Sequence, residues 1–373
     1  MKLKFDKSYY LNVGMQPLAG SSISNWLGLL AENKFMIDWQ FIPRALYVTF
    51  MLFSTAIFRI YEKIKFDKKV KNMKVKPPIF IIGHFRSGTT FLHYLMGQDK
   101  NLAYVSTLET MAPWVFISGE RIFEPIVRKN LPKKRPMDDL EMKVELPYEE
   151  EYAIANLSLY SFYHGWYFPK NIEYYFKKYV LFEGISKEII EKWKEVYLYL
   201  LKKITYKHGR KRILLKSLVN TARIKILLEM FPDAKFIHIY RNPYKVYLST
   251  IRLYNSILPI FSLQHIEKEK IDKFIIEFYK RVYKKFFNEK SLIPEKNLAE
   301  IKYEEFVKDP LYHLEKIYEK IGLEGFKEAL PYFKKYAKTH ENYKPYVYNI
   351  SHEIKEKIYK EWGFAFKEFG YEK

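Results

Sequence analysis

Pro77-Pro78-Ile79-Phe80-Ile81-Ile82-Gly83-His84-Phe85-Arg86-Ser87-Gly88-Thr89-Thr90-Phe91-Leu92-His93 is the stretch on which the fold of the whole chain turns. Ile79 to Ile82 is an unbroken apolar run, suited to a parallel strand buried on both faces. Gly83 ends it, and a polar loop follows. From Thr89 the pattern turns helical, with Leu92, Leu95 and Met96 on one face. Strand, glycine loop and helix start form an anion cradle, because free N–H groups and the positive end of the helix dipole converge on one concavity.

The spacing Gly83-x4-Gly88 matches a triphosphate-binding loop, G-x4-G-K-[ST], but Thr89 stands where the lysine belongs. Arg86 supplies positive charge from inside the loop instead. Such a set is ill suited to a β/γ-phosphate with magnesium, whereas a planar guanidinium fork suits a phosphate or sulfate. G-x-x-R-S-G-T-T after a buried strand resembles the 5′-phosphosulfate loop of the sulfotransferases, which use 3′-phosphoadenosine 5′-phosphosulfate (PAPS). The arginine form resembles the carbohydrate and tyrosyl-protein branches of that family. The resemblance implies an α/β fold, a parallel sheet flanked by helices like that of the P-loop NTPases. It also implies that Arg86, Ser87, Gly88, Thr89 and Thr90 hold the sulfuryl donor, with Arg86 catalytic as well.

A second motif lies downstream. Phe231-Pro-Asp-Ala-Lys-Phe-Ile-His-Ile-Tyr-Arg241-Asn-Pro-x5-Ser249 reads as a strand ending at Arg241, followed by a helix with Ser249 about two turns in. In an open parallel sheet, ligands bind beyond the carboxyl ends of the strands. A guanidinium with a hydroxyl is sound chemistry for a phosphomonoester. The stretch resembles the 3′-phosphate motif of the sulfotransferases, which implies that Arg241 and Ser249 bind that group. Leu214-Leu-Lys216-Ser217 resembles the family's Lys-Ser element, with Leu218 and Thr221 replacing the usual Pro and His. Lys302-Tyr303-Glu304-Glu305-x3-Asp309-Pro310 resembles its Tyr-Glu-Asp-Leu segment, in which the tyrosine lies near the adenine. The glycine-rich basic C-terminal loop of the family's small-molecule branch has no counterpart, and the likeness covers about residues 77–373.

The 373 residues are ample for one large α/β domain or two smaller ones, and an aromatic content of 18% provides a core. With no cysteine there is no disulfide framework, thiolate nucleophile or Cys-based metal site, in keeping with a reducing cytoplasm. A net charge of +21 points to anionic partners. Zinc-finger spacing and ribonucleoprotein motifs are missing, so nucleic acid is not expected. Much of the scattered lysine reads as solvated surface, as in heat-adapted chains.

Residues 1–76 read as a helical extension ahead of a sulfotransferase domain spanning 77–373. Lys2 and Lys4 are not followed by the apolar region of a secretory signal. Ala45 to Phe58 is 14 residues without a charge, between Arg44 and Arg59. As a helix it would be about 21 Å long, short of a hydrocarbon thickness of roughly 30 Å. It suits a buried helix or one lying in a membrane interface. Trp39, Tyr47, Tyr61 and the basic run from Lys63 to Lys76 are what an interfacial anchor carries. Peripheral contact through residues 39–60, on the inner face of the membrane, is the expectation.

Beyond the loop helix, strands are expected at Leu102–Ser106, Ile213–Ser217, Ala234–Tyr240 and Leu298–Lys302. Helices are expected at Lys187–Lys207, Leu263–Phe287 and near 311–322, 326–338 and 352–368. Residues 111–185 read as irregular, punctuated by Arg135-Pro-Met-Asp138-Asp139 and Pro147-Tyr-Glu-Glu-Glu151. An aromatic run from Tyr160 to Phe176 suits either core or an acceptor-site wall.

Sulfuryl transfer from PAPS needs positive charge at the bridging oxygen, in-line placement of the acceptor and a base for its proton. Arg86 and the loop N–H groups serve the first need, and adenosine 3′,5′-bisphosphate leaves. Glu109, followed by Thr110 after the second expected strand, resembles the catalytic glutamate of the tyrosyl-protein branch. Glu149, Glu150, His164 and His84 compete with it. No metal site is expected: Arg241 ends a strand where a P-loop NTPase places a magnesium-binding Asp. The acceptor is expected to offer a hydroxyl or amine, on a glycan or glycolipid for example. The rival readings are a P-loop kinase-like phosphotransferase, and a non-catalytic basic protein on membranes or nucleic acid. The first lacks its lysine, and the second leaves the pairing of Arg86 with Arg241 unexplained.

Overall fold

The computed structural model describes residues 5–6, 8–138, 140–340 and 349–373; Lys2, Lys4 and Asp139 lie outside them. The chain forms two compact units, each assembled from separate stretches of sequence. One comprises residues 76–104, 211–252 and 272–373; the other comprises 1–75, 105–210 and 253–271. The extension read over residues 1–76 thus folds together with two later stretches.

The first of these units holds a five-stranded sheet of β1 (Ile79–Ile82), β2 (Leu102–Tyr104), β3 (Arg212–Lys216), β4 (Lys235–Tyr240) and β5 (Leu298–Lys302). The order is β2-β3-β1-β4-β5, and every pairing is parallel. It is the sheet expected from the sequence, flanked by helices. Ile79 and Ile81 face one side, where Leu92, Ile237, Ile301, Leu314 and Phe333 complete the core. Phe80 faces the other, with its ring centroid 5.3 Å from that of Phe236. A central strand covered on both faces has no polar face to show, which is why β1 reads as a solid apolar run. The chain moves outward from β1 to β2 on one side and to β4 and β5 on the other. The order therefore reverses at β1, and the carboxyl ends of β1 and its neighbours border a topological switch point.

The other unit is built of helices. Residues 111–185, expected to be irregular, contain helices Glu120–Asn130, Glu150–Leu157, His164–Tyr167 and Ile172–Tyr179. For Glu150–Leu157 the cause is physical. All eight residues of Glu150–Leu157 are buried, so no polar face marks the helical period. Most of the aromatic run is core, with Tyr163 stacked on Trp166 at 4.0 Å between centroids. Two buried cations find partners within the unit. Arg44 donates to the carbonyls of Tyr9, Pro259 and Ser262. Lys203 Nζ lies 2.7 Å from a carboxylate oxygen of Glu62, whose other oxygen accepts from the Ile117 and Ser118 N–H groups.

The apolar N-terminal stretch is two helices, Ile42–Ser54 and Ala56–Lys71, bent by 44° at Thr55. Thr55 Oγ1 bonds back to the Met51 carbonyl at 2.6 Å, and the Arg59 guanidinium takes the Leu52 carbonyl. Among the described residues no single helix is long and apolar enough to cross a membrane.

Candidate active site

The loop after β1 is shaped by backbone that only glycine tolerates readily. Gly83 has φ +146°, and a Cβ there would lie 2.3 Å from the Ile239 carbonyl oxygen of β4. Gly88 has φ +96°, and its Cβ would lie 2.3 Å from the Tyr303 ring. Between them Arg86 adopts φ +69°, a left-handed conformation uncommon for a side-chain-bearing residue and typical of functional loops. The root of the loop is pinned by Thr221, whose hydroxyl accepts from the Gly83 N–H and donates to the Gly83 carbonyl, both at 2.8 Å. Ser87 Oγ donates to the His84 carbonyl at 2.6 Å.

Four of the five strands, β1, its neighbours β3 and β4, and β5 beyond β4, deliver a candidate residue at the carboxyl end. Arg86 follows β1, Lys216 ends β3, Arg241 follows β4 and Tyr303 follows β5. Arg86 Nε donates to Ser249 Oγ at 2.8 Å, and Arg241 Nη1 donates to the Arg86 carbonyl at 3.1 Å. The Arg241 guanidinium carbon sits 4.3 Å from the centre of the Tyr303 ring. Tyr303 is buried, which raises its hydroxyl pKa, against the opposing pull of Arg241. Ser87, Gly88, Thr89 and Thr90 form the turn into the helix Thr89–Met96. All nine residues expected around the sulfuryl donor thus lie in one unit. Among the described residues, Arg241 Nε and Ser217 Oγ are buried with no hydrogen-bond partner, as are His238 Nε2, Tyr244 Oη and several other polar atoms of the unit. Unsatisfied buried donors of this kind cost stability, and each calls for an explanation.

Thr221 was legible only as a departure from the expected motif, and its bridging role follows from distances alone. Glu304 was missed as well. It accepts from the Asn242 N–H at 3.2 Å and the Tyr371 hydroxyl at 2.6 Å, fixing the turn after Arg241. Its one signal was its place beside Tyr303.

The carboxylates considered as bases belong to the other unit. Glu109 is fully buried and completes a capping box, accepting from the Ser106 N–H at 2.7 Å. His208 Nε2 and Lys207 Nζ lie 2.7 and 3.3 Å from its second oxygen. Burial alone would raise its pKa, but the His208 hydrogen bond, the charges of His208 and Lys207, and the Ser106 N–H together hold it below the usual carboxylate value. Glu149 accepts from the Tyr163 hydroxyl, and Glu150 from the Tyr197 hydroxyl at 2.8 Å. His84 and His164 are both buried, and burial lowers both pKa values, that of His84 to about 3. Both imidazoles are neutral near pH 7.

This helical unit also holds a partly open cavity of about 120 Å³. Its walls are mainly apolar, with Met51, Met111, Trp114, Phe123, Ile257 and Phe261 prominent, and Arg59 and Arg135 supply charge. It is drawn from other residues than the aromatic run suggested by the sequence.

The sulfotransferase family model "Sulfotransfer_3" matches residues 77–328. The omega-hydroxy-beta-dihydromenaquinone-9 sulfotransferase Stf3 of Mycobacterium bovis is 32% identical over 358 residues, 95% of this chain and 91% of that protein. The fold is that of the sulfotransferase STF9 from Mycobacterium avium, at TM-score 0.66 and 16% identity, covering 94% of this chain and 97% of that one. STF1 from Mycobacterium tuberculosis is also similar, at TM-score 0.62 and 17% identity, covering 90% and 91%. With its Arg-Ser-Gly-Thr-Thr loop on a parallel sheet, the chain belongs to the sulfotransferase family and is a sulfotransferase.

Proposed function

We propose that the protein transfers the sulfuryl group of PAPS to a hydroxyl on a largely apolar lipid. The observation that carries the donor half is the cluster of Arg86, Arg241 and Ser249, with Arg241 Nε and Ser217 Oγ left as unsatisfied donors. In this reading Arg86 and the N–H groups of Ser87 to Thr90 take the 5′-phosphosulfate, Lys216 adds charge, and Arg241 with Ser249 takes the 3′-phosphate. Tyr303 positions the loop and Arg241. The acceptor oxygen attacks sulfur, the sulfur–oxygen bond to the 5′-phosphate breaks, and adenosine 3′,5′-bisphosphate departs with the bonding electrons. Arg86 meets the charge developing on that bridging oxygen. The hydroxyl proton passes to a carboxylate, for which Glu109 is our assignment and Glu149 and Glu150 are the competitors.

Two observations support the lipid half. The cavity of the helical unit is apolar, as a hydrocarbon chain requires. The relative named above is called a sulfotransferase of a menaquinone-derived lipid. The test incubates the purified protein with PAPS and, separately, ω-hydroxylated isoprenoid quinones and soluble oligosaccharides, and follows products by mass spectrometry. Gain of one sulfate on the quinone supports the reading. Sulfation confined to the oligosaccharides overturns the acceptor, and no transfer from PAPS to any acceptor overturns the donor.

A further inference from the structure

The bent helix pair Ile42–Ser54 and Ala56–Lys71 has two faces of unlike character. Val48, Leu52 and Val70 point inward and are buried. On the opposite side Trp39, Ile42, Leu46, Phe50 and Phe53 recur every three or four residues. Ile57, Ile60 and Ile64 carry the same repeat past the bend at Thr55. These eight side chains are between 48 and 79% exposed. A single exposed Leu or Phe on a soluble protein needs no explanation, but an uninterrupted stripe along two consecutive helices does.

The stripe then changes chemistry in register. The next positions of the repeat after Ile64 are Lys68 and Lys71, and Lys63, Lys65 and Lys69 surround them, all exposed. An apolar stripe ending in a lysine cluster, with Trp39 and Tyr61 along it, fits an interface that is hydrocarbon at depth and anionic at its rim. We propose that this face docks on an anionic membrane leaflet. The helix pair lies in the interfacial plane, with the isoleucines and phenylalanines below the headgroups and the lysines among the phosphates. A second copy of the chain is the poorer occupant: each copy carries +21, and a stripe bent by 44° does not offer the straight seam of paired helices.

The docking face is continuous with the cavity of the same unit. Tyr47, Met51, Thr55 and Arg59 line that cavity from the same two helices. Ile126, exposed on the helix Glu120–Asn130, lines it as well. That helix meets the pair where Phe58 packs edge-on to Phe123 at 5.4 Å between centroids. A chain leaving the bilayer would therefore meet mainly apolar surface, with Arg59 beside it. Docking itself rests on the stripe and the lysines and holds whatever the acceptor is.

Flotation of the full-length protein with phosphatidylcholine vesicles, with and without phosphatidylglycerol, tests this. Binding is expected to require the anionic lipid and to weaken with salt. Phe50→Ser/Ile57→Ser/Ile64→Ser removes three exposed side chains outside the cavity lining and should cut binding about tenfold or more. Replacing Lys63, Lys65, Lys68, Lys69 and Lys71 by Gln should abolish the preference for anionic lipid. Affinity for adenosine 3′,5′-bisphosphate, measured by calorimetry on each variant, should stay unchanged, which separates this test from the donor-site reading and reports folding. Wild-type protein that ignores vesicles, or a serine variant that binds them undiminished, overturns the proposal. So does a wild-type dimer that the serine variant converts to monomer, because the stripe would then belong to a second copy.

Discussion

Ser249 Oγ accepts a 2.8 Å hydrogen bond from Arg86 Nε, joining two motifs 163 residues apart in the sequence. In the reading proposed above, one motif takes the 5′ end of the nucleotide and the other its 3′ end. Through this bond, the hydroxyl proposed for the 3′ end also orients the guanidinium proposed for the sulfuryl end. The two motifs form a single interlocked cluster, since Arg241 Nη1 in turn holds the Arg86 carbonyl at 3.1 Å.

A double-mutant cycle measures that interlock. Ser249→Ala should weaken adenosine 3′,5′-bisphosphate binding by about fivefold, the worth of a net hydrogen bond near 1 kcal/mol. In an Arg86→Ala background the same exchange should cost much less, because the partner is already gone. Equal costs in the two backgrounds, read by isothermal calorimetry, would mean that the side chains act independently in binding.

Arg241→Ala discriminates the two ends of the nucleotide. A hydrogen bond to a charged group is worth about 1.5–3 kcal/mol, so affinity for the bisphosphate should drop roughly ten- to 150-fold. An adenosine 5′-phosphate lacking the 3′-phosphate should lose far less. Parallel losses for both ligands would remove Arg241 from the 3′-phosphate site.

Strand positions were legible to within a residue or two because the inner strands are short apolar runs and the edge strand β5 alternates apolar with polar residues. The residues of β1 and β5 coincide with those read from the sequence, and β4 starts one residue later than expected. The motif residues were legible as well, and chain order alone put Arg86 and Arg241 at strand ends. Three things were not. The helix Glu150–Leu157 has no polar face, so no period revealed it. The break at Thr55 depends on where the Arg59 guanidinium reaches, which no spacing encodes. The surroundings of Glu109 depend on contacts with Lys207 and His208 about a hundred residues away. A carboxylate after a strand reads the same whether it is open to a substrate or sealed in a helix cap.

Thr221 supplies the loop with its root, and its hydroxyl serves both polar groups of Gly83. Thr221→Val keeps the shape and leaves a buried N–H and carbonyl without that partner, at a cost of about 1–3 kcal/mol. The urea midpoint should fall accordingly, and bisphosphate affinity with it, since the loop loses its anchor. Thr221→Ser restores the hydroxyl and should recover most of both. A valine variant as stable and as tight-binding as the parent would refute the anchoring role.

Glu109 poses the sharpest question, because its surroundings make separate demands on stability and on catalysis. Its pKa lies below the usual 4.5, since His208, Lys207 and the Ser106 N–H outweigh burial. A carboxyl depressed in the folded state contributes its stability in full above the unfolded pKa and loses it as pH falls through the folded value. Glu109→Gln should therefore lower the urea midpoint near pH 7 and narrow its gap from the parent below about pH 4.5. Catalysis is read separately, at pH 7 and under conditions where both proteins are fully folded. As general base, Glu109 should cost about 10²–10⁴-fold in turnover when replaced by Gln, with bisphosphate affinity nearly unchanged. The same exchange at Glu149 and Glu150 is the control. Near-normal turnover of Glu109→Gln with an inactive Glu150→Gln moves the base to the start of the helix Glu150–Leu157 and leaves Glu109 a structural role. If all three variants turn over normally, no carboxylate takes the proton and the mechanism proposed for the acceptor side fails.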